Sequence, residues 1–160
     1  MISQIHPDAL HPEEGPAFWF INSLVTVKAT TESSGGAFSL VHQLAPVGFG
    51  TPYHRHSADE AFYILEGEVT FFRDGQRIDL RSGGYIFIPG GAAHGFHVAG
   101  VTTASHLIFY MPGDDFIHFI QEMGEPATSR TMPQPAAPDM EKLAQLSAKY
   151  GSELLGPLPK

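Results

Sequence analysis

Apolar and polar positions along this chain alternate in short runs, and glycine or proline cuts the runs about every 8–12 residues. From Phe18, "FWFINSLVTVKAT" is dense in aromatic and β-branched side chains. "SSGG" (33–36) then makes a turn before "AFSLVHQLAP", where Phe38, Leu40, His42 and Leu44 share one face because strand side chains alternate. Further on, "AFYIL" meets Glu66-Gly67, "EVTFFR" meets the hairpin dipeptide Asp74-Gly75, and "QRIDL" meets Ser82-Gly83-Gly84. "YIFIP" meets Gly90-Gly91, and "HGFHV" meets Ala99-Gly100 before "TTASHLIFYMP". This pattern predicts an all-β sandwich or barrel, and the lack of an internal repeat predicts a single one.

The period changes after Pro112. "GDDFIHFIQEMG" places Phe116, Phe119, Ile120 and Met123 on one helical face, with acids at its start and Gly124 at its end. "EPATSRTMPQPAAP" (125–138) has no period and reads as a linker, and "DMEKLAQLSAKYG" predicts a second short helix with Asp139 as N-cap and Gly151 as stop. Such a helix is marginal alone, so it is expected to pack on the barrel or on a neighbouring subunit. The expected organisation is an irregular arm (1–17), a barrel with a trailing helix (18–124), a Pro-rich linker (125–138), and a C-terminal helix and tail (139–160).

Composition narrows the partners. Thirteen prolines and seventeen glycines in 160 residues suit a turn-rich β protein. A formal charge of −8 with no basic patch argues against nucleic acid, and no apolar window is long enough to span a membrane. The start "MISQIHPDALHPEEGP" lacks the basic and apolar segments of a secretion signal, so a cytoplasmic protein is expected. With no cysteine, a metal would be held by His, Asp, Glu or backbone oxygen.

The chemistry gathers in "GFGTPYHRHSADEAFYILEGE" (48–68). His54 and His56 lie two apart on an extended segment, which puts both rings on one side with Cα atoms roughly 6–7 Å apart. Glu60 keeps the same parity. Two nitrogens and an oxygen are part of a transition-metal ligand set, and His94, entering the strand after "PGGAA", is the candidate for a fourth. His97 has the opposite parity and should face away. His42, His106 and His118 read as ordinary structural histidines.

Around these residues run two glycine patterns: Gly48, five residues, His54-x-His56, three residues, Glu60, six residues, Gly67; then Gly83, five residues, Pro89-x-Gly91, two residues, His94. Together they resemble the two motifs of the cupin superfamily over about residues 38–112. The resemblance implies a double-stranded β-helical (jelly-roll) barrel holding one divalent transition metal (Fe, Mn, Ni, Co, Cu or Zn) on His54, His56, Glu60 and His94. The second motif commonly closes with Asn where this chain has Val98, a position that is not a ligand. Over about residues 18–124 the wording is similar to single-domain flavonol (quercetin) dioxygenase-like cupins. That similarity implies a metal-dependent oxygenase acting with O₂ on a small aromatic or enol substrate. Glu60 would serve as ligand and proton acceptor, and Phe62 and Phe96 would line the pocket. Alternatives are a binding cupin without turnover, such as a sensor or accessory domain, and a metal-dependent isomerase or lyase. The latter would want basic groups in the barrel, and few are evident. Single-domain cupins are often homodimers, and "AFWFINSLVTV" would suit an exchanged edge strand or a strand within its own barrel.

Overall fold

The computed structural model describes residues 9–160, so the first eight residues of the expected arm lie outside the described residues. Residues 9–16 form neither strand nor helix, and Lys28 Nζ ties them down by donating to the carbonyls of His11, Pro12 and Glu14 at 2.7–3.0 Å.

Among the described residues, twelve strands form two facing sheets. Their bounds are β1 Ala17–Phe20, β2 Ser23–Ala29, β3 Ser39–Ala45, β4 Tyr53–Arg55, β5 Asp59–Glu66, β6 Glu68–Arg73, β7 Gln76–Arg81, β8 Tyr85–Ile88, β9 His94–Ala99, β10 Ala104–Met111, β11 Glu125–Pro126 and β12 Glu153–Gly156. One sheet has the order β11-β1-β2-β3-β10-β5-β8, the other β12-β4-β9-β6-β7, and the neighbouring strands in both are antiparallel. This is the expected all-β jelly roll. Its core is the inward parity of both sheets, with Val25, Val27, Val41, Phe62, Phe71 and Phe96 nearly inaccessible.

Local chemistry explains most of the turns. Asp74 and Gly75 both take positive φ (49° and 80°), as a two-residue hairpin between twisted strands requires. The "FWFINSLVTV" run behaves differently from its uninterrupted β composition. It breaks at Ile21 and Asn22, both at positive φ (46° and 62°), and folds back as a hairpin on its own sheet. Asn22 is held in that conformation from far along the chain. Its amide donates to the Ala136 carbonyl and accepts from the Ala136 N–H, at 2.8 and 2.9 Å.

Helix α1 (Asp114–Met123) buries Ile117 and Ile120 against the barrel and ends at Gly124. Helix α2 (Met140–Lys149) is capped by Asp139, whose carboxylate accepts from the Lys142 N–H at 3.0 Å. It packs on α1, with Lys149 and the Tyr150 hydroxyl both donating to Glu122. The chain beyond α2 does not trail away. Strand β12 pairs with β4, Leu154 opposite His54, and Arg55 meets Glu153 at 2.7 Å. Among the described residues no helix is long and apolar enough to cross a membrane.

Candidate metal centre

His54 lies on β4, His56 just beyond it, Glu60 near the start of β5, and His94 at the start of β9. His54 and His94 are direct partners across β4 and β9, while Glu60 reaches in from the opposite sheet. The loop between β8 and β9 fixes the assembly: Gly91 N–H donates to the His56 carbonyl and Gly90 N–H to Asp59 Oδ1, both at 2.7 Å. Thus the two glycine patterns of the sequence meet in space. One ligand-type atom from each of His54, His56 and His94 lies within 4.8 Å of the others. Glu60 Oε2 sits 3.0 Å from His56 Nε2 and 2.9 Å from His94 Nε2.

The tautomers follow from the partners. Nδ1 of His54 faces the Pro52 carbonyl at 2.7 Å, Nδ1 of His56 the Ala58 carbonyl at 3.0 Å, and Nδ1 of His94 the Ala92 carbonyl at 2.9 Å. A carbonyl can only accept, so each Nδ1 carries the hydrogen and each Nε2 of a neutral ring presents a lone pair. Three lone pairs then converge beside a carboxylate that is itself acceptor-only. That arrangement is balanced either by protons on the rings or by a cation among them. A carbonyl on the far nitrogen is also what orients metal-ligating histidines. The donor set therefore fits a divalent transition metal with N₃O ligands.

The electrostatics agree. Burial pushes Glu60 up, but the hydrogen bonds and charges of His56 and His94 outweigh it and hold the carboxyl well below the usual carboxylate range. Burial pushes His94 down, and the hydrogen bond and charge of Glu60 more than restore it, for a net rise. Burial, helped by neighbouring His94, lowers His54 to about 4, so its ring stays neutral and available as a ligand at neutral pH.

The cluster opens on a cavity of about 550 Å³. Phe62 and Phe96 belong to its wall and to the core at once, their rings 5.4 Å apart. His42, His106 and His118 stand outside the cluster, and so does His97, whose ring lies 6.2 Å from that of Phe72, although His97 still borders the cavity.

Several lining residues carried no signal in the sequence. Tyr110 is the partner of Glu60 across β5 and β10; its ring lies 4.8 Å from His56 and stacks on Phe116 at 4.7 Å. Burial, reinforced by Glu60, pushes its phenol far up, so it remains a hydrogen-bond donor at any working pH. Gln43 lines the cavity from β3, on the parity opposite to His42. The outer wall comes from the C-terminal segment, through Leu143, Ser147, Leu154 and Leu158. No Lys or Arg is among the cavity-lining described residues.

Comparison with known proteins adds what the chain is similar to. Residues 40–110 match the family model described as Cupin domain. The chain is 28% identical to the quercetin 2,3-dioxygenase of Bacillus subtilis (strain 168) over 145 residues, 89% of this chain and 42% of that protein. It is 35% identical over 57 residues to an uncharacterized protein of Methanocaldococcus jannaschii, 35% of this chain and 46% of that one. The chain thus spans less than half the length of both curated relatives. Among solved structures, an RmlC-like cupin from Shewanella frigidimarina superposes with a TM-score of 0.60 at 19% identity, covering 69% of this chain and 96% of that one. The barrel built around these histidines thus has the fold of a cupin-like jelly roll, and residues 40–110 of it resemble a cupin domain.

Proposed function

We propose that this protein is a metal-dependent dioxygenase of the quercetinase type, acting on a small neutral aromatic or enolic substrate. The observation that carries the proposal is the convergence of three histidine Nε2 lone pairs and Glu60 at the end of an aromatic-walled cavity free of Lys and Arg. The similarity to a quercetin 2,3-dioxygenase over 89% of the chain supports it. A cavity of about 550 Å³ accommodates a substrate of two or three rings, and the absence of basic lining groups disfavours phosphate- or carboxylate-bearing sugars and keto acids.

His54, His56, His94 and Glu60 would hold the cation, one per chain, whose contribution when bound is to polarise a substrate oxygen and to support chemistry with O₂. Everything else falls to the protein. Phe62 and Phe96 flank the substrate ring and exclude water. Glu60, ionised and buried, takes the proton of the substrate hydroxyl on a carboxylate oxygen. Tyr110, protonated and beside Glu60, donates a hydrogen bond toward the same oxygen. A homodimer and a cytoplasmic location belong to the same proposal.

The test is O₂ uptake with flavonols after anaerobic loading with Fe, Mn, Ni or Co. Uptake with a ring-opened product is expected, falling about 10²–10⁴-fold in Glu60→Gln with its metal retained. Metal-dependent flavonol binding without O₂ consumption would instead make the protein a binding module.

A further inference from the structure

Four residues along β10 from Tyr110, the barrel contains a polar chain that the proposed chemistry does not use, and one of its members, Gln43, lines the cavity. His106 on β10 and Gln43 on β3 are direct cross-strand partners. His106 Nε2 lies 2.8 Å from Gln43 Oε1, and Gln43 Nε2 lies 2.9 Å from Ser23 Oγ. The Ser23 hydroxyl donates to the Phe20 carbonyl at 2.5 Å. All three side chains are buried, His106 completely.

The bonds can run in one direction. Because Ser23 gives its hydrogen to a carbonyl, it presents a lone pair to Gln43, so the Gln43 NH₂ must face Ser23 and its oxygen must face His106. His106 then carries its hydrogen on Nε2, and its Nδ1 is a bare lone pair. That Nδ1 has no hydrogen-bond partner among the described residues. Phe62 and Phe96 pack against the ring at 5.6 and 5.4 Å. An imidazole with an orphaned nitrogen is an expensive way to fill space between two phenylalanines, since apolar side chains of like volume would leave nothing unsatisfied. Departures of this kind gather at functional positions.

What the chain achieves is to fix Gln43, and Gln43 lines the same cavity as the metal cluster. Its amide retains one N–H and one lone pair beyond the two bonds it makes. Its distance from the cluster is set by the strands: His106 stands four residues from Tyr110, the partner of Glu60, or about 13 Å along β10. We propose that Gln43, held rigid by His106 and Ser23, is a hydrogen-bonding subsite that reads a hydroxyl or carbonyl oxygen at the end of an elongated aromatic substrate remote from its metal-facing oxygens. This proposal rests on the functional reading above for the metal-facing end. It narrows the substrate class to aromatics oxygenated at both ends. Gln43 and His106 are specificity-determining and positioning residues here, not catalytic ones.

The test compares two probes on metal-loaded protein kept anaerobic: 3-hydroxyflavone, and 3,4′-dihydroxyflavone, which adds one distal hydroxyl. The wild type is expected to bind the dihydroxy probe about tenfold more tightly, the scale of one buried hydrogen bond to a fixed partner. Gln43→Leu should abolish the preference, so that the two probes bind alike. The double variant Gln43→Leu/His106→Leu, which removes the polar pair together and leaves no orphaned imidazole, should behave in the same way. A wild type with no preference, or a preference that survives in both variants, overturns the subsite. If neither flavonol binds the wild type, the flavonol reading fails by itself. The subsite is then decided with 4-phenylphenol against biphenyl: a wild-type preference for the phenol that is lost in Gln43→Leu supports it, and equal binding overturns it.

Discussion

Protonation of His106 should make the fold acid-labile in a way that one substitution removes. Burial, with His42 nearby adding to it and Glu60 opposing, lowers this ring from 6.5 to about 3. No carboxylate hydrogen-bonds to it, and its one partner, Gln43 Oε1, is satisfied by the neutral tautomer. A histidine depressed in the folded state binds protons more readily in the unfolded chain, so stability is full above about 6.5 and falls as pH falls. At pH 5 the unfolded ring is almost wholly charged and the folded ring is not, which costs about 2 kcal/mol from this residue. The loss approaches about 5 kcal/mol only below pH 3. At pH 5 the figure depends on the unfolded histidine alone, provided the folded ring titrates well below that pH. The assay is urea denaturation at pH 7.5, 6 and 5 for the wild type and His106→Leu. His42, His54 and the carboxylates titrate in both chains, so the difference between their pH profiles belongs to His106. With a urea slope of about 2 kcal/mol/M, the wild-type midpoint should fall by about 1 M more than that of the variant between pH 7.5 and 5. Parallel profiles would refute the closed, unpaired environment deduced for this ring.

Divalent cations should stabilise the fold through the histidine cluster: about 2.7 kcal/mol at a hundredfold excess over Kd, or a rise in Tm of about 5–11 °C for a chain of this size. Differential scanning fluorimetry should show this rise in the wild type and none in His54→Ala or His94→Ala. Gly95→Ala should loosen the C-terminal wall, because its Cβ would fall 2.5 Å from Leu158 Cδ2 and 2.9 Å from the Pro52 carbonyl. The leucine can swing aside and the backbone cannot, so a cost of about 1–3 kcal/mol is expected, with proteolytic cleavage appearing after Asp139. Unchanged protease resistance would mean that the tail is not seated on that glycine.

The features legible in the sequence were those encoded by neighbours in the chain. Asp74-Gly75 carries its own hairpin geometry and Asp139 its own cap, while His54, His56, Glu60 and His94 were picked out together only through the two glycine patterns and the family resemblance they carry. The illegible features depend on partners about a hundred residues away. The turn at Ile21-Asn22 contains neither glycine nor proline and is held by Ala136, at a separation of 114 residues. Strand β12 is four exposed residues that acquire strand geometry only by pairing with β4. Gln43 was hidden for another reason: the opposite parity, Phe38, Leu40, His42 and Leu44, is the more apolar in composition, yet Ser39, Val41, Gln43 and Ala45 face the core. A glutamine on the inner face of a strand is a departure from pattern that only burial exposes.

This division between local and remote determinants has a consequence for the site. The histidine rings are oriented by carbonyls two residues away and by the Gly90-Gly91 loop, all within residues 52–94. The outer wall of the cavity is built by residues 140–158, seated through exposed ion pairs, Arg55 with Glu153 and Lys149 with Glu122, that salt screens readily. Much of the outer wall therefore comes from a different part of the chain than the metal-facing rings, although β12 lies beside β4, the strand that carries His54. A barrel stripped of its tail keeps the carbonyls that orient the rings, but loses the β12 pairing beside His54 and opens the apolar face of the cavity to water. Side chains of the tail can vary without touching those carbonyls, whereas a change that unseats β12 removes the outer partner of the strand that carries His54.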